Sequence, residues 1–85
     1  MKVVFHGEGW DHYQFWIKTD KVRLTKLNRL IDECRRHLFE GTGKPEPLKG
    51  NYAGHWSRRI DREHRLVYRV EGDNLIIVQC RYHYD

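Results

Sequence analysis

The chain has 85 residues, 39% of them apolar and 13% aromatic, enough for one modest hydrophobic core and too few for two. No segment approaches the run of roughly 18 apolar residues that a bilayer span needs, and the apolar stretch near the start is too short for a signal peptide, so a soluble cytoplasmic protein without membrane contact is expected. Two cysteines, Cys34 and Cys80, cannot build a disulfide framework and read as buried thiols. The net charge of +4 is uneven: residues 35–69 hold nine Lys/Arg against four Asp/Glu, whereas the remainder holds seven against eight. The basic excess thus sits mid-chain, where counterion release from a polyanion can drive binding.

In chain order, "KVVF" (2–5) reads as a short strand broken at His6-Gly7. Trp10, Tyr13, Trp16 and Ile17 then recur at helical spacing, with Asp11, His12, Gln14 and Lys18 on the other side. Thr19 or Asp20 supplies an N-cap for a second helix, whose Leu24, Leu27, Leu30, Ile31, Cys34 and Leu38 form a core stripe opposite a uniformly charged face. "FEGTGKPEPLKGNYAG" (39–54) contains four of the seven glycines and both prolines and reads as a loop, long enough to be functional. "HWSRRI" (55–60) is a candidate strand, "DREH" a turn, and residues 65–84 two strands around the 71–74 turn. The resulting β-α-α-β-β-β order predicts an α+β domain, 1–85, with a small antiparallel sheet packed on two N-terminal helices.

Register decides which side chains share a face. A three-residue loop, Gly72-Asp73-Asn74, pairs Glu71 with Leu75 and Arg65 with Arg81, and it sorts Leu66, Tyr68, Val70, Ile76, Val78, Cys80 and Tyr82 onto one apolar face. The other face then presents Arg65, Arg81 and His83, with Arg59 alongside and Glu63 near His83. Upstream, Glu46 is pinned between Pro45 and Pro47 and flanked by Lys44 and Lys49. A carboxylate, an imidazole and a guanidinium are the parts that cleave RNA by internal transfer without a metal.

"GKPEPLK", "WSRRI", "EHRLVY" and "CRYHY", in this order and spacing, resemble the YoeB (Txe/YoeB) toxins of the RelE superfamily of ribosome-dependent mRNA interferases. The resemblance also takes in "WDHYQFW" and "TDK", and so runs over nearly the whole chain. It implies the same α+β scaffold and an endoribonuclease that cuts mRNA in the ribosomal A site and is silenced by a cognate, YefM-like antitoxin. It further implies Glu46 as general base, His83 as general acid, Arg65 as transition-state stabiliser and Tyr84 as an orienting group. Lys49 and Arg59 match basic positions that hold the RNA backbone; Lys44 and Arg81 complete the expected RNA-binding set, and Glu63 is a second carboxylate that could support or replace Glu46. The expected products are a 2′,3′-cyclic or 3′ phosphate and a 5′-OH. No cofactor or metal is implied; homodimers, toxin–antitoxin complexes and DNA contact through the antitoxin alone are. His55 replaces an apolar aromatic residue of the family pattern, and Asp85 extends the chain past "RYHY".

Other readings have weaker support. "GTGK" lacks the spacing and preceding strand of a phosphate-binding loop, Cys80-x-x-His83 lacks a second pair for zinc, and Cys80 lies on the apolar side. No basic recognition helix points to a lone DNA-binding repressor. The principal alternative is a non-catalytic basic protein that binds RNA or the ribosome through the same surface. The excess positive charge also suits an acidic, disordered antitoxin segment that folds on contact.

Overall fold

A computed structural model describes residues 1–83. Strand β1 (Lys2–Phe5) leads into helices α1 (Gly7–Thr19) and α2 (Lys21–Arg36), followed by β2 (Glu46–Pro47), a single 3-10 turn (Gly50–Tyr52), β3 (Trp56–Arg59), β4 (Arg65–Glu71) and β5 (Asn74–Gln79). The sheet order is β1-β5-β4-β3-β2. The α+β architecture is the expected one, with two differences. The sheet is antiparallel only from β2 to β5, because β1 joins β5 in parallel, Val3 beside Leu75 and Phe5 beside Ile77. The 39–54 loop also contributes a two-residue edge strand, β2.

Helix α2 forms as its pattern predicts except at its end, which comes at Arg36, so that Leu38 of the expected stripe lies beyond it. Asp20 is the N-cap, its Oδ1 accepting the Arg23 N–H at 3.0 Å, while Thr19 instead donates to the Phe15 carbonyl. Leu27, Leu30, Ile31 and Cys34 are buried against Ile60, Leu66, Tyr68, Leu75, Ile77 and Cys80 of the sheet side. Burying each leucine contributes about 2 kcal/mol. Burial pushes the Cys34 thiol up to about 11, so it is an inert core group.

Helix α1 is rotated from its apolar pattern. Its buried residues are Gly9, His12 and Trp16, whereas Trp10 and Ile17 are 49% and 42% exposed. The cause is close packing on β5: a Cβ on Gly9 would lie 2.5 Å from the Ile77 carbonyl oxygen, so the helix approaches through its smallest residue. Trp10 and Tyr13 are left to pack with Phe5 at the helix flank.

The β4–β5 hairpin also departs from its expected register. Glu71 pairs with Asn74, leaving a two-residue loop, Gly72-Asp73, with Gly72 at φ +58°. The pairing then shifts between Tyr68↔Ile77 and Val67↔Gln79, so Val78 is the extra residue of a bulge. Leu75 and Ile77, not Ile76 and Val78, therefore reach the core, and the bulge returns Cys80 to it. Tyr82 is exposed rather than packed beneath the sheet.

Arg58 sits on the core side of β3 with 0% exposure. Its guanidinium donates to Glu33 Oε1 at 3.1 Å, the Thr42 carbonyl at 3.2 Å, the Glu40 carbonyl at 2.8 Å and the His37 carbonyl, while Nε reaches the Tyr68 hydroxyl. Tyr68 in turn donates to the Leu38 carbonyl at 2.6 Å. Residues 37–42 are thereby fixed against α2 and β3, and this fixes the approach to Glu46. One of the basic residues credited to a polyanion-binding surface is thus a buried structural tie.

Candidate active site

In an antiparallel sheet, paired residues share a face. The pairs Glu46↔Ser57, Ser57↔Val67 and Val67↔Gln79 make one continuous row across β2, β3, β4 and β5, on the side away from the helices. At ordinary strand spacing the row spans roughly 14 Å. Ser57 and Val67 form its buried floor, Glu46 its exposed end and Gln79 its other end. Pro45 and Pro47 are tolerated because β2 is an edge strand, and they hold the Glu46 backbone extended. Two residues further along β3 and back along β4, the pair Arg59↔Arg65 lies on the same face.

Arg65 is only 9% exposed. The side-chain hydrogen bonds it makes among the described residues run from Nη1 to the carbonyls of Asp61, His64 and Arg62, so the guanidinium is anchored by one nitrogen. Those carbonyls belong to the 60–64 turn, which Asp61 organises. Asp61 Oδ1 accepts the N–H groups of Glu63 and His64 at 2.8 and 2.7 Å, and Oδ2 accepts Arg23 Nε at 2.5 Å. Burial pushes the Asp61 carboxyl up, but the Arg23 bond and the two N–H donors outweigh it and leave it at about 2.

Beyond Gln79 the chain leaves the sheet, yet its backbone groups stay paired. The Cys80 N–H donates to His12 Nδ1 at 3.2 Å, and the Cys80 carbonyl accepts Trp16 Nε1 at 2.8 Å. Tyr82, at φ +66°, donates its N–H to His64 Nδ1 at 2.7 Å and accepts the Arg65 N–H at 3.0 Å. The Gln79 amide donates to the carbonyls of Arg81 and His83 at 3.1 and 2.9 Å. His83 is thus carried on a hydrogen-bonded tail rather than on a strand, with its side chain exposed.

Geometry sorts the sequence-derived residues. Glu46, Arg59 and Arg65 share the face, and His83 is tied to its end through Gln79. Lys44, at φ +51°, follows Gly43, whose carbonyl accepts the Arg59 N–H at 2.6 Å, so this lysine lies beside the end of β3. Lys49 is exposed and follows the buried Leu48. Glu63 is exposed on the 60–64 turn, its carboxylate 3.7 Å from His64 Nε2. Arg81 is not brought to Arg65 as expected: its guanidinium lies 3.4 Å from the centre of the Phe15 ring on α1, because the tail turns and strand alternation stops at Gln79. Trp56 packs on Phe39, 4.6 Å between ring centres, on the core side. Tyr84 and Asp85 lie outside the described residues. His12, Asp61, His64 and Gln79 also support the site, although their roles are not evident from the sequence pattern. Asp61 is the exception, since an Asp opening a turn before two backbone donors is a recurring local motif.

The chain is thus an α+β protein with helices on one sheet face and a carboxylate and two arginines on the other. A family model for the YoeB-like toxin of bacterial type II toxin-antitoxin systems matches residues 5–84, and the chain belongs to that family. It is 57% identical over 84 residues to Toxin YoeB of Escherichia coli (strain K12), covering 99% of this chain and 100% of that one. Among solved structures, a YoeB/ParE toxin from Agrobacterium tumefaciens superposes with a TM-score of 0.96 at 53% identity, over 99% of this chain and 100% of that one. YoeB in the heterotetrameric YoeB-YefM toxin-antitoxin complex from Staphylococcus aureus superposes with a TM-score of 0.90 at 40% identity, over 99% and 98%.

Proposed function

We propose that this toxin is a ribosome-dependent endoribonuclease that cleaves mRNA in the ribosomal A site by metal-independent acid–base chemistry and so inhibits translation in the cytoplasm. The observation that carries the reading is the shared sheet face: Glu46 at one end of the row, Arg65 beside its floor, and the Gln79-held tail bearing His83 at the other. In the proposed reaction a carboxylate, Glu46 with Glu63 as its understudy, takes the proton from the ribose 2′-OH. The 2′ oxygen forms a bond to phosphorus, and the bond to the 5′ oxygen breaks as His83 gives that oxygen a proton. Arg65, anchored through Nη1, stabilises the charge that builds on the phosphate, and Tyr84 orients it. Lys44, Lys49 and Arg59 hold the RNA backbone. A 2′,3′-cyclic or 3′ phosphate and a 5′-OH result.

The same reading makes an acidic YefM-like antitoxin the neutralising partner, with the toxin a homodimer that meets DNA only through that antitoxin. Such a complex has been solved for the S. aureus YoeB. Primer extension on a message incubated with translating ribosomes tests the reaction: cuts should appear with ribosomes and vanish without them. Glu46→Gln and His83→Ala should abolish the cuts while ribosome binding stays within twofold. Equal loss of cutting and binding in both variants would favour a binding-only protein.

A further inference from the structure

We infer that Gln79 is a positioning residue that sets the place of His83 over the reactive face, a role that rests on the cleavage reading and assigns part of its geometry to a residue outside the reacting set. Gln79 is the last residue of β5 and is 7% exposed. Its pairing with Val67 puts it on the face of Glu46 and Arg65. Its single amide group donates to two carbonyls, two and four residues ahead, and so folds the tail back onto the end of its own strand. The other grips on the tail stop short of His83. His12 and Trp16 hold Cys80, and His64 and the Arg65 N–H hold Tyr82. Gln79 alone, among the described residues, takes hold of the backbone of His83 itself.

The chemistry of the side chain suits this task and few substitutes share it. Two acceptors must be met by two donors from one short, planar group, which a primary amide supplies. Glutamate has the same length but no donor when ionised, and its oxygens would face two carbonyl oxygens. Methionine keeps the volume but meets neither carbonyl. A proton donor must lie within hydrogen-bond reach of the leaving oxygen, and a misplacement of about 1 Å can cost about 100-fold in rate. A tail released at His83 should therefore lose rate and keep affinity.

The test compares Gln79→Met and Gln79→Glu with the unaltered protein. Single-turnover cleavage of mRNA on saturating ribosomes should fall about 10- to 100-fold in both, with the half-saturating ribosome concentration within twofold. In nitrogen-resolved NMR of the unaltered protein, both Gln79 side-chain amide protons should exchange slowly with solvent, and in Gln79→Met the Tyr82 amide should exchange faster. Unchanged cleavage rates, a loss of ribosome affinity equal to the loss of rate, or Gln79 amide protons that exchange as fast as an exposed glutamine's would each overturn the proposal. If the unaltered protein cuts nothing on ribosomes, the cleavage reading fails by itself, and the exchange measurements still decide whether Gln79 holds the tail.

Discussion

The imidazole of His64 accepts the Tyr82 N–H through Nδ1 at 2.7 Å, so the residue just before β4 also holds the tail that follows β5. His64 is buried with Trp16, 4.8 Å between ring centres, and the residue after it donates its N–H to the Tyr82 carbonyl. One turn thus positions the Arg65 guanidinium and the tail of His83 together. Because Nδ1 accepts, the proton of the neutral ring sits on Nε2. His64→Ala leaves a buried donor without a partner and removes a packed ring, and should cost about 2 kcal/mol of stability. Asparagine places an oxygen near the former Nδ1, so His64→Asn should recover part of that loss. Urea unfolding of the two variants measures it, and equal losses would show that packing alone accounts for the effect.

A second imidazole supports the same tail, and it confers a pH dependence. Burial lowers the pKa of His12 below its ordinary 6.5, the opposing pull of Glu8 and Asp11 being exceeded by burial together with Arg81 and His64. The unfolded chain therefore binds a proton more readily than the folded one. Stability from this group is fully present above pH 6.5 and is lost as pH falls from 6.5 through the lowered value. Protonated His12 cannot accept the Cys80 N–H. Melting temperatures recorded between pH 7.5 and 5.5 should decline, and the decline should be shallower in His12→Gln. A slope unchanged by that substitution would assign it to other groups.

How far the sequence could be read depended on whether burial left a periodic trace. Helix α2 was legible because its stripe and its Asp20 cap agree. The hairpin was visible but its register was not, since Leu75-Ile76-Ile77-Val78 is apolar throughout and either alternate could face the core. The bulge at Val78 then hid the switch. Arg59 and Arg65 fall on one face as expected because β3 and the start of β4 alternate without interruption, whereas Glu46, expected in a loop, reaches that face through the two-residue strand β2. Arg81 was misplaced because alternation was extended into a tail held by side chains from α1 and the 60–64 turn. Such long-range bonds leave no local pattern, and for that reason Gln79 and His12 carried no signal.

Gly9 lets α1 settle on β5, which is how His12 and Trp16 reach Cys80. An added methyl at 2.5 Å from the Ile77 carbonyl, a backbone atom within the sheet, cannot be relieved by a side-chain rotation. Gly9→Ala should force the helix outward, cost about 1–3 kcal/mol, and speed exchange of the Cys80 amide. Gly7→Ala is the matched control, since no atom lies within 4 Å of a Cβ there. If both alanines behave alike, helix propensity and not the close approach governs the site.

Arg58 offers the largest expected effect from one residue outside the reactive face. Its guanidinium meets one carboxylate and three carbonyls from residues 33–42, with Nε on the Tyr68 hydroxyl. Glu33 has compensating donors in the Thr42 N–H and hydroxyl, which hold its carboxyl below the usual range together with Arg58. The three carbonyls and the Tyr68 hydroxyl have been arranged around a planar fork, however, and a lysine's single ammonium cannot fill it. Arg58→Met should therefore destabilise the fold by about 3–5 kcal/mol, and Arg58→Lys should recover little of that. Because residues 37–42 lead into Glu46, limited proteolysis of the variants should open at this segment before the rest of the chain unfolds. A methionine variant with the stability of the unaltered protein would mean that the buried network roughly balances its own desolvation, as hydrophobic replacements of buried ion pairs sometimes do.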